Sequence, residues 1–403
     1  MDDLSRPGRR GWAVPLLAMF TTQFFAAYPL RIIPLLGAVI AAQLAISPST
    51  VGYFASLASL GTLAGILVAP SLVRSVGVFR TLQACLLISA AGAAAFVLPV
   101  LGAVLVASLL VGLADGPAGF AASRELHRAA PPRSRRLLFS LSSMGGSFGS
   151  LTSAIVVAFV VAVADWRTAV FVAASLTALA ILPLRFLASA EPGPAAAAPE
   201  RPTLGYAPAL ALLRRDAGSL RLVLGATILS MSQGAWLTFF VAYLVGSVNL
   251  SLSRAAALLA TIQAIALVSR LAFGRWADVI GSARPVFVLI CACATCSWIG
   301  LASLEHGFSD VGLHFVVMIA GISIAAWNGL MGAELASRVP ESALIALNGA
   351  MAIAMTAGYA LAVAGLAWLT ERLGGYGVPF MVVAAALALN TINFASLPRT
   401  NPG

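Results

Sequence analysis

The chain has 403 residues, of which 60% are hydrophobic and only 9% charged, and its mean hydropathy is +0.98. Soluble domains carry about 25% charged residues, so this composition excludes a water-soluble protein and predicts an integral membrane protein. The net charge of +10 is carried by arginine without a single lysine, and its placement follows membrane orientation, not nucleic-acid binding.

The N-terminus, MDDLSRPGRRGW, puts Arg6, Arg9 and Arg10 ahead of an apolar run too long for a secretory signal, so an uncleaved first helix is expected. Twelve spans of about 20 residues or more, enough for ~30 Å of hydrocarbon, fall at 12–41, 51–72, 79–99, 101–124, 137–163, 166–188, 219–246, 252–274, 284–303, 311–337, 342–370 and 375–397. Nothing alternates with the short period of a membrane β-barrel. The longest break, EPGPAAAAPERP and its surroundings, reads as a linker with a short surface helix at ALALLRRD. The expected domains are therefore a six-helix half at 1–188, a linker at 189–218 and a second six-helix half at 219–403.

Alternate connections, starting with the N-terminus, hold 19 of the 24 arginines. Positive charge resists export, so that side is expected to be cytoplasmic, with both termini inside. Of the four cysteines, Cys85, Cys291, Cys293 and Cys296, the last three share one apolar run. A metal site needs more converging donors; small buried thiols between helices are the better reading.

Between the eighth and ninth spans lies GRWADVIGSAR, Gly274 to Arg284. It resembles the G-x-x-x-D-x-x-G-R loop of the major facilitator superfamily. PSLVRSVGVFR, Pro70 to Arg80, is a worn copy about half a chain upstream, with Gly77 and Arg80 kept, Pro70 in place of the first glycine and Arg74 in place of the aspartate. The stretch 116–150, with Gly145, Gly146 and Gly149, resembles the fourth and fifth helices of bacterial members. Asp165-Trp166-Arg167 resembles the start of the sixth, and AAWNGLMGAELASR (325–338) the tenth of a branch containing small-solute carriers. The resemblance implies an all-α membrane fold of twelve helices in two halves, with helices 1, 4, 7 and 10 around a central cavity. It also implies a gating role for Gly274, Asp278, Gly281 and Arg284.

On those helices the sequence offers polar stripes at helical spacing. Helix 1 aligns Gln23, Ala27 and Arg31; helix 4 aligns Ser108, Gly112, Asp115 and Gly119; helix 7 aligns Gln233, Trp236, Phe240 and Tyr243; helix 10 aligns Trp327, Met331 and Glu334, with Asn328 beside them. Gln23, Arg31, Gln233, Trp236, Tyr243, Trp327 and Asn328 are the candidate substrate contacts. A charge within a span costs at least ~2.5–3.5 kcal/mol unless it faces water or a partner. Arg31 suits a carboxylate through a bidentate fork, the alternative being a side chain snorkelling to the surface. Asp115 suits a coupling proton, the alternative being a structural hydrogen bond. The aromatic stripe of helix 7 suits either the cavity or ordinary packing. Arg31 lies about 28 Å along its helix and Asp115 about 21 Å along one of opposite direction, which predicts separate depths and no direct salt bridge. Arg270, Glu334 and Arg338 join the gating candidates. Ser108 stands where many superfamily members carry an arginine linked to proton coupling, which weakens any transfer of their mechanism.

The expected function is secondary active transport of a small organic solute, anionic on the strength of Arg31, across a bacterial inner membrane by alternating access with proton coupling. An exporter of amphipathic drugs and a non-transporting membrane sensor or scaffold are the alternatives. No catalytic motif, cofactor or metal site is apparent. The expected partners are the solute, the lipid bilayer and protons, without nucleic acid, and the chain is expected to be monomeric.

Overall fold

The computed structural model describes residues 13–98, 100–129, 135–188, 213, 216–304, 309–339 and 341–398. Among them the regular structure is helical, as expected where no water is present to satisfy exposed backbone groups. In chain order the helices are α1 (Ala13–Gln43), α2 (Val51–Val76), α3 (Val78–Ala95), α4 (Leu101–Ala129), α5 (Arg135–Val163), α6 (Trp166–Leu179), α7 (Ile181–Ala188), α8 (Ala217–Gly246), α9 (Leu252–Ile280), α10 (Arg284–Ser303), α11 (Asp310–Ser323), α12 (Asn328–Arg338), α13 (Glu341–Leu373) and α14 (Gly377–Ala395). They provide twelve segments long and apolar enough to cross a membrane. Most of the linker expected at 189–218 lies outside the described residues, as do Arg6, Arg9 and Arg10.

Local chemistry sets the helix ends. Asp165 caps α6 by accepting from the Thr168 amide at 2.8 Å, and Asp216 caps α8 by accepting from the Ser219 amide at 2.9 Å. Both carboxyls titrate below the usual range. The Thr168 hydroxyl and amide hold Asp165 down, and Ser219 does the same for Asp216. Arg167 lies over the Trp166 ring at 4.7 Å and donates to Gln43 Oε1 at 3.1 Å, so Asp165-Trp166-Arg167 works as a cap plus a clasp onto the end of α1.

Two expected continuous spans are broken. The sixth divides into α6 and α7 at Ala180. The tenth stops at Ser323 and resumes at Asn328, because side chains take the carbonyls that should continue the ladder. Trp327 Nε1 donates to the Ile324 carbonyl at 3.1 Å. The Ala325 carbonyl accepts from Arg270 Nη2 at 2.9 Å and from Asn328 Nδ2 at 3.4 Å. Such bonds compete directly with helix continuation.

The connection expected from Gly274 begins later than the sequence implied. α9 runs on to Ile280 and ends only where Gly281 adopts φ +70°, a left-handed geometry that glycine takes without steric cost. Gly274 is therefore helical, and a side chain there would meet nothing within 4 Å, so it provides no close helix approach.

Helices α1 to α7 pack mainly among themselves, through α2 on α4, α1 on α5 and α3 on α4. The later helices do likewise, through α10 on α14, α8 on α13 and α9 on α11. The two groups meet through α2 on α13, α5 on α9 and α1 on α8. In the first group backbones touch: a Cβ at Gly112 would overlap the Ala58 carbonyl oxygen, and one at Gly149 would overlap that of Phe24. The second group is filled by rings. Trp236 meets Trp298 edge-on at 4.9 Å and Tyr243 meets Phe380 at 5.3 Å.

Candidate functional site

Where the two groups meet, α1, α2, α4, α8 and α13 enclose a cavity of about 230 Å³. Its first wall carries Arg31 and Asp115, with Ser59 and Thr62 from α2; its second wall carries Ser230, Met355, Thr356 and Tyr359. Both charges belong to the first group, and the opposite wall supplies hydroxyls and a thioether.

The first wall is a consequence of the glycine packing. The approach of α4 to α2 at Gly112 brings Asp115 into the same cavity as Thr62, whose hydroxyl donates to the Ala58 carbonyl at 3.2 Å, and within electrostatic range of Arg31. The approach of α5 to α1 at Gly149 brings Ser150 to Arg31, whose Nε donates to Ser150 Oγ at 3.2 Å. Among the described residues the terminal nitrogens of Arg31 have no protein hydrogen-bond partner. Pro29 and Pro34 lie within α1 on either side of Arg31. Pro34 lacks the amide that would bond the Leu30 carbonyl, and both Leu30 and Pro34 line the cavity.

One end of the cavity is closed by contacts between the groups. Glu371 accepts from Ser49 Oγ at 3.2 Å and from Tyr53 OH at 3.1 Å. A Cβ on Gly52 would lie 2.5 Å from the Val363 carbonyl, so α2 and α13 are in backbone contact there. This closure sits at the arginine-poor ends of the helices.

Among the described residues the close ion pairs are Arg254–Asp310 and Glu334–Arg338, so Arg31 and Asp115 form no direct salt bridge, although both line one cavity. Gln233 and Asn328 come together, Nδ2 of Asn328 donating to Gln233 Oε1 at 3.3 Å. Gln23 packs against the α5 glycines. Trp236, Tyr243 and Trp327 are fully buried. The first two sit in the aromatic packing of the second group and the third bonds its own helix break, so none of the three faces the cavity. A ring stripe at helical spacing has the same pattern whether it lines a cavity or fills a core.

The gating candidates are also dispersed. Arg338 pairs with Glu334 one turn away and donates to the Pro398 carbonyl at 2.8 Å, both within the second group. Arg284 reaches the Leu397 carbonyl at 3.5 Å. Arg270 turns from Asp278 and instead bridges the groups, Nη1 donating to Ser147 Oγ at 2.8 Å. Asp278 and Arg74 are exposed, and among the described residues the Asp278 carboxylate has neither an ion-pair nor a hydrogen-bond partner. Ser108 is buried and bonds its own helix at the Val104 carbonyl.

Several cavity residues lie outside the helices chosen from sequence. Ala352, Met355, Thr356 and Tyr359 on α13 follow a helical-face spacing of three and four, a signal that the eleventh span carries in plain view. Glu371, near a helix end, carried no comparable signal. Among the described residues no group of three or more histidine, cysteine or acidic side chains converges, and Cys85, Cys291, Cys293 and Cys296 are free thiols.

Twelve membrane-length helical segments in two packed groups around a central cavity that holds two opposite charges are the architecture of a multi-pass membrane transporter. The sequence profile of the Major Facilitator Superfamily matches residues 16–344, and the chain belongs to that family. Its fold is similar to a crystal structure of a point mutant of the nucleoside transporter NupG, with TM-score 0.75 and 14% identity, covering 95% of this chain and 100% of that one. It is similar also to a POT family transporter in complex with 5-aminolevulinic acid, with TM-score 0.74 and 15% identity, covering 94% of each chain. Comparison with curated protein sequences gives no match.

Proposed function

We propose that the chain is a secondary active transporter for a small organic solute bearing an anionic group, working by alternating access at the Arg31–Asp115 cavity. The observation that carries this reading is a guanidinium steadied by Ser150, with its terminal nitrogens free, facing a cavity between two helix groups. Planar guanidinium suits a carboxylate through two parallel hydrogen bonds. Asp115, in the same cavity, is the proposed proton carrier. A proton there cancels the extra negative charge that a bound anion brings.

We place the protein in a bacterial inner membrane with the arginine-rich face cytoplasmic, because positive charge resists export. On that orientation the Glu371 closure is external and the structure represents the state closed to the outside. Asp278, unpartnered here, then serves the opposite state, in which the cytoplasmic ends of α2 and α9 close.

Transport into proteoliposomes tests the reading. Carboxylate solutes should accumulate under an imposed proton gradient, and Arg31→Lys should raise the half-saturating concentration because an ammonium lacks the fork. Asp115→Asn should retain exchange of a monocarboxylate while losing gradient-driven accumulation. Concentration of solute by Asp115→Asn would remove the proton assignment.

A further inference from the structure

We infer, on the reading that this cavity is the transport site, that its solute is zwitterionic, with an acidic group on Arg31 and a cationic group on Asp115. The argument begins with charge. Arg31 and Asp115 are the formally charged side chains lining the cavity, and they carry opposite signs. A simple anion on Arg31 needs Asp115 to take up its proton at the same time, since the bare carboxylate faces it with a second negative charge, and a simple cation on Asp115 faces Arg31. Such like-charge encounters are poorly screened in a cavity of low polarity. A solute carrying both signs meets both residues favourably and adds no net charge.

Geometry supports the same class. The two side chains line one cavity and lie within electrostatic range without forming an ion pair. Ser150 on α5 takes Arg31 Nε at 3.2 Å, which steadies the guanidinium away from Asp115. The unpaired charges are thus open to a dipolar solute that meets both. The opposing wall of Ser230, Thr356 and Tyr359 is uncharged and suits the remainder of the molecule. A volume of about 230 Å³ falls below the ~300–1,000 Å³ of pockets for drug-sized ligands and suits a small solute.

The test measures thermal shifts of the purified full-length protein with amino acids, including ω-amino acids such as 4-aminobutyrate. Each is compared with its deaminated acid and its decarboxylated amine. At least one zwitterion should raise Tm more than either partner does. Asp115→Asn should weaken that zwitterion about ten- to a hundredfold, the range for one hydrogen bond to a charged group, and should leave the deaminated acid bound equally or more tightly. Asp115→Glu should keep the preference, and the unliganded Tm of each variant reports folding. The inference is overturned if no zwitterion exceeds its partners, or if Asp115→Asn leaves the zwitterion's Kd unchanged. Acids that bind through Arg31 with no gain from an amino group would defeat this inference and leave the anion reading standing. Binding of the acids that survives Arg31→Gln would defeat the anion reading itself.

Discussion

Helices α1 to α7 and helices α8 to α14 form two groups held together by different packing. Among α1 to α7 the closest approaches are backbone to backbone at glycine, as at Gly112 against Ala58 and Gly149 against Phe24. Among α8 to α14 glycine instead makes room for side chains, two of them rings: a Cβ on Gly225 would run into the Phe394 ring, and one on Gly234 would lie 2.5 Å from the Tyr359 ring. Without a hydrophobic driving force between helices in lipid, close van der Waals packing holds them together. Thin glycine contacts let short polar side chains meet across helices, which is how Ser150 reaches Arg31. The ring-packed group presents a neutral wall. The first group thus supplies the charge and the second the fixed surface against which it works.

The largest contrast is expected inside the second group. Trp236→Ala removes a fully buried ring and should cost about 3–5 kcal/mol of stability. Tyr359→Phe, on the cavity wall, should leave stability nearly intact and alter solute affinity. Thermal unfolding in detergent, paired with solute binding, separates the two; lost binding with unchanged unfolding in Trp236→Ala would return the ring stripe to the cavity.

A single methyl distinguishes the groups next. Gly112→Ala meets a backbone oxygen and should cost about 3 kcal/mol, the upper end for overpacking, whereas Gly225→Ala meets the far edge of a side chain and should cost less, about 1–2 kcal/mol. Equal losses would mean that the first group is no more tightly constrained than the second.

The closure between the groups comes third. Glu371→Gln weakens two hydrogen bonds from Ser49 and Tyr53 and should shift the closed-to-open ratio about fivefold, roughly 1 kcal/mol. Paramagnetic distance measurements between labels at the ends of α2 and α13 read that shift, and an unchanged distribution would remove the latch role.

The smallest effect belongs to a helix cap. Asp216→Ala should cost about 0.5–1 kcal/mol. Because Ser219 lowers the folded carboxyl's pKa, that contribution is complete above the unfolded value of ~3.9 and disappears as pH falls through the folded one. The difference from wild type should therefore shrink in acid; a gap that widens would contradict the cap.

Hydropathy made the twelve segments legible in the sequence, since lipid demands long apolar runs with internally satisfied backbones. It did not show the break at Ile324–Trp327, which depends on Arg270 reaching in from another helix. The charged half of the cavity was legible too, because Arg31 and Asp115 are costly within spans and must face something. Its neutral half was not. Thr356 and Tyr359 resemble ordinary helix residues, and Trp236 and Tyr243 drew attention through a spacing that packing alone explains. Glu371 acts only through residues more than 300 positions away, a relation that local spacing does not carry.

The central claim, that the space between a charged and a neutral wall is the transport path, is most directly tested by thiol accessibility at Thr356. In a protein whose four native cysteines are replaced by alanine, Thr356→Cys should react with a membrane-impermeant thiol reagent supplied from the arginine-rich face. From the opposite face it should react only slowly while Glu371 is intact, and faster once Glu371→Gln is added. Absence of labelling from the arginine-rich face, or equal labelling from both faces irrespective of Glu371, would contradict it.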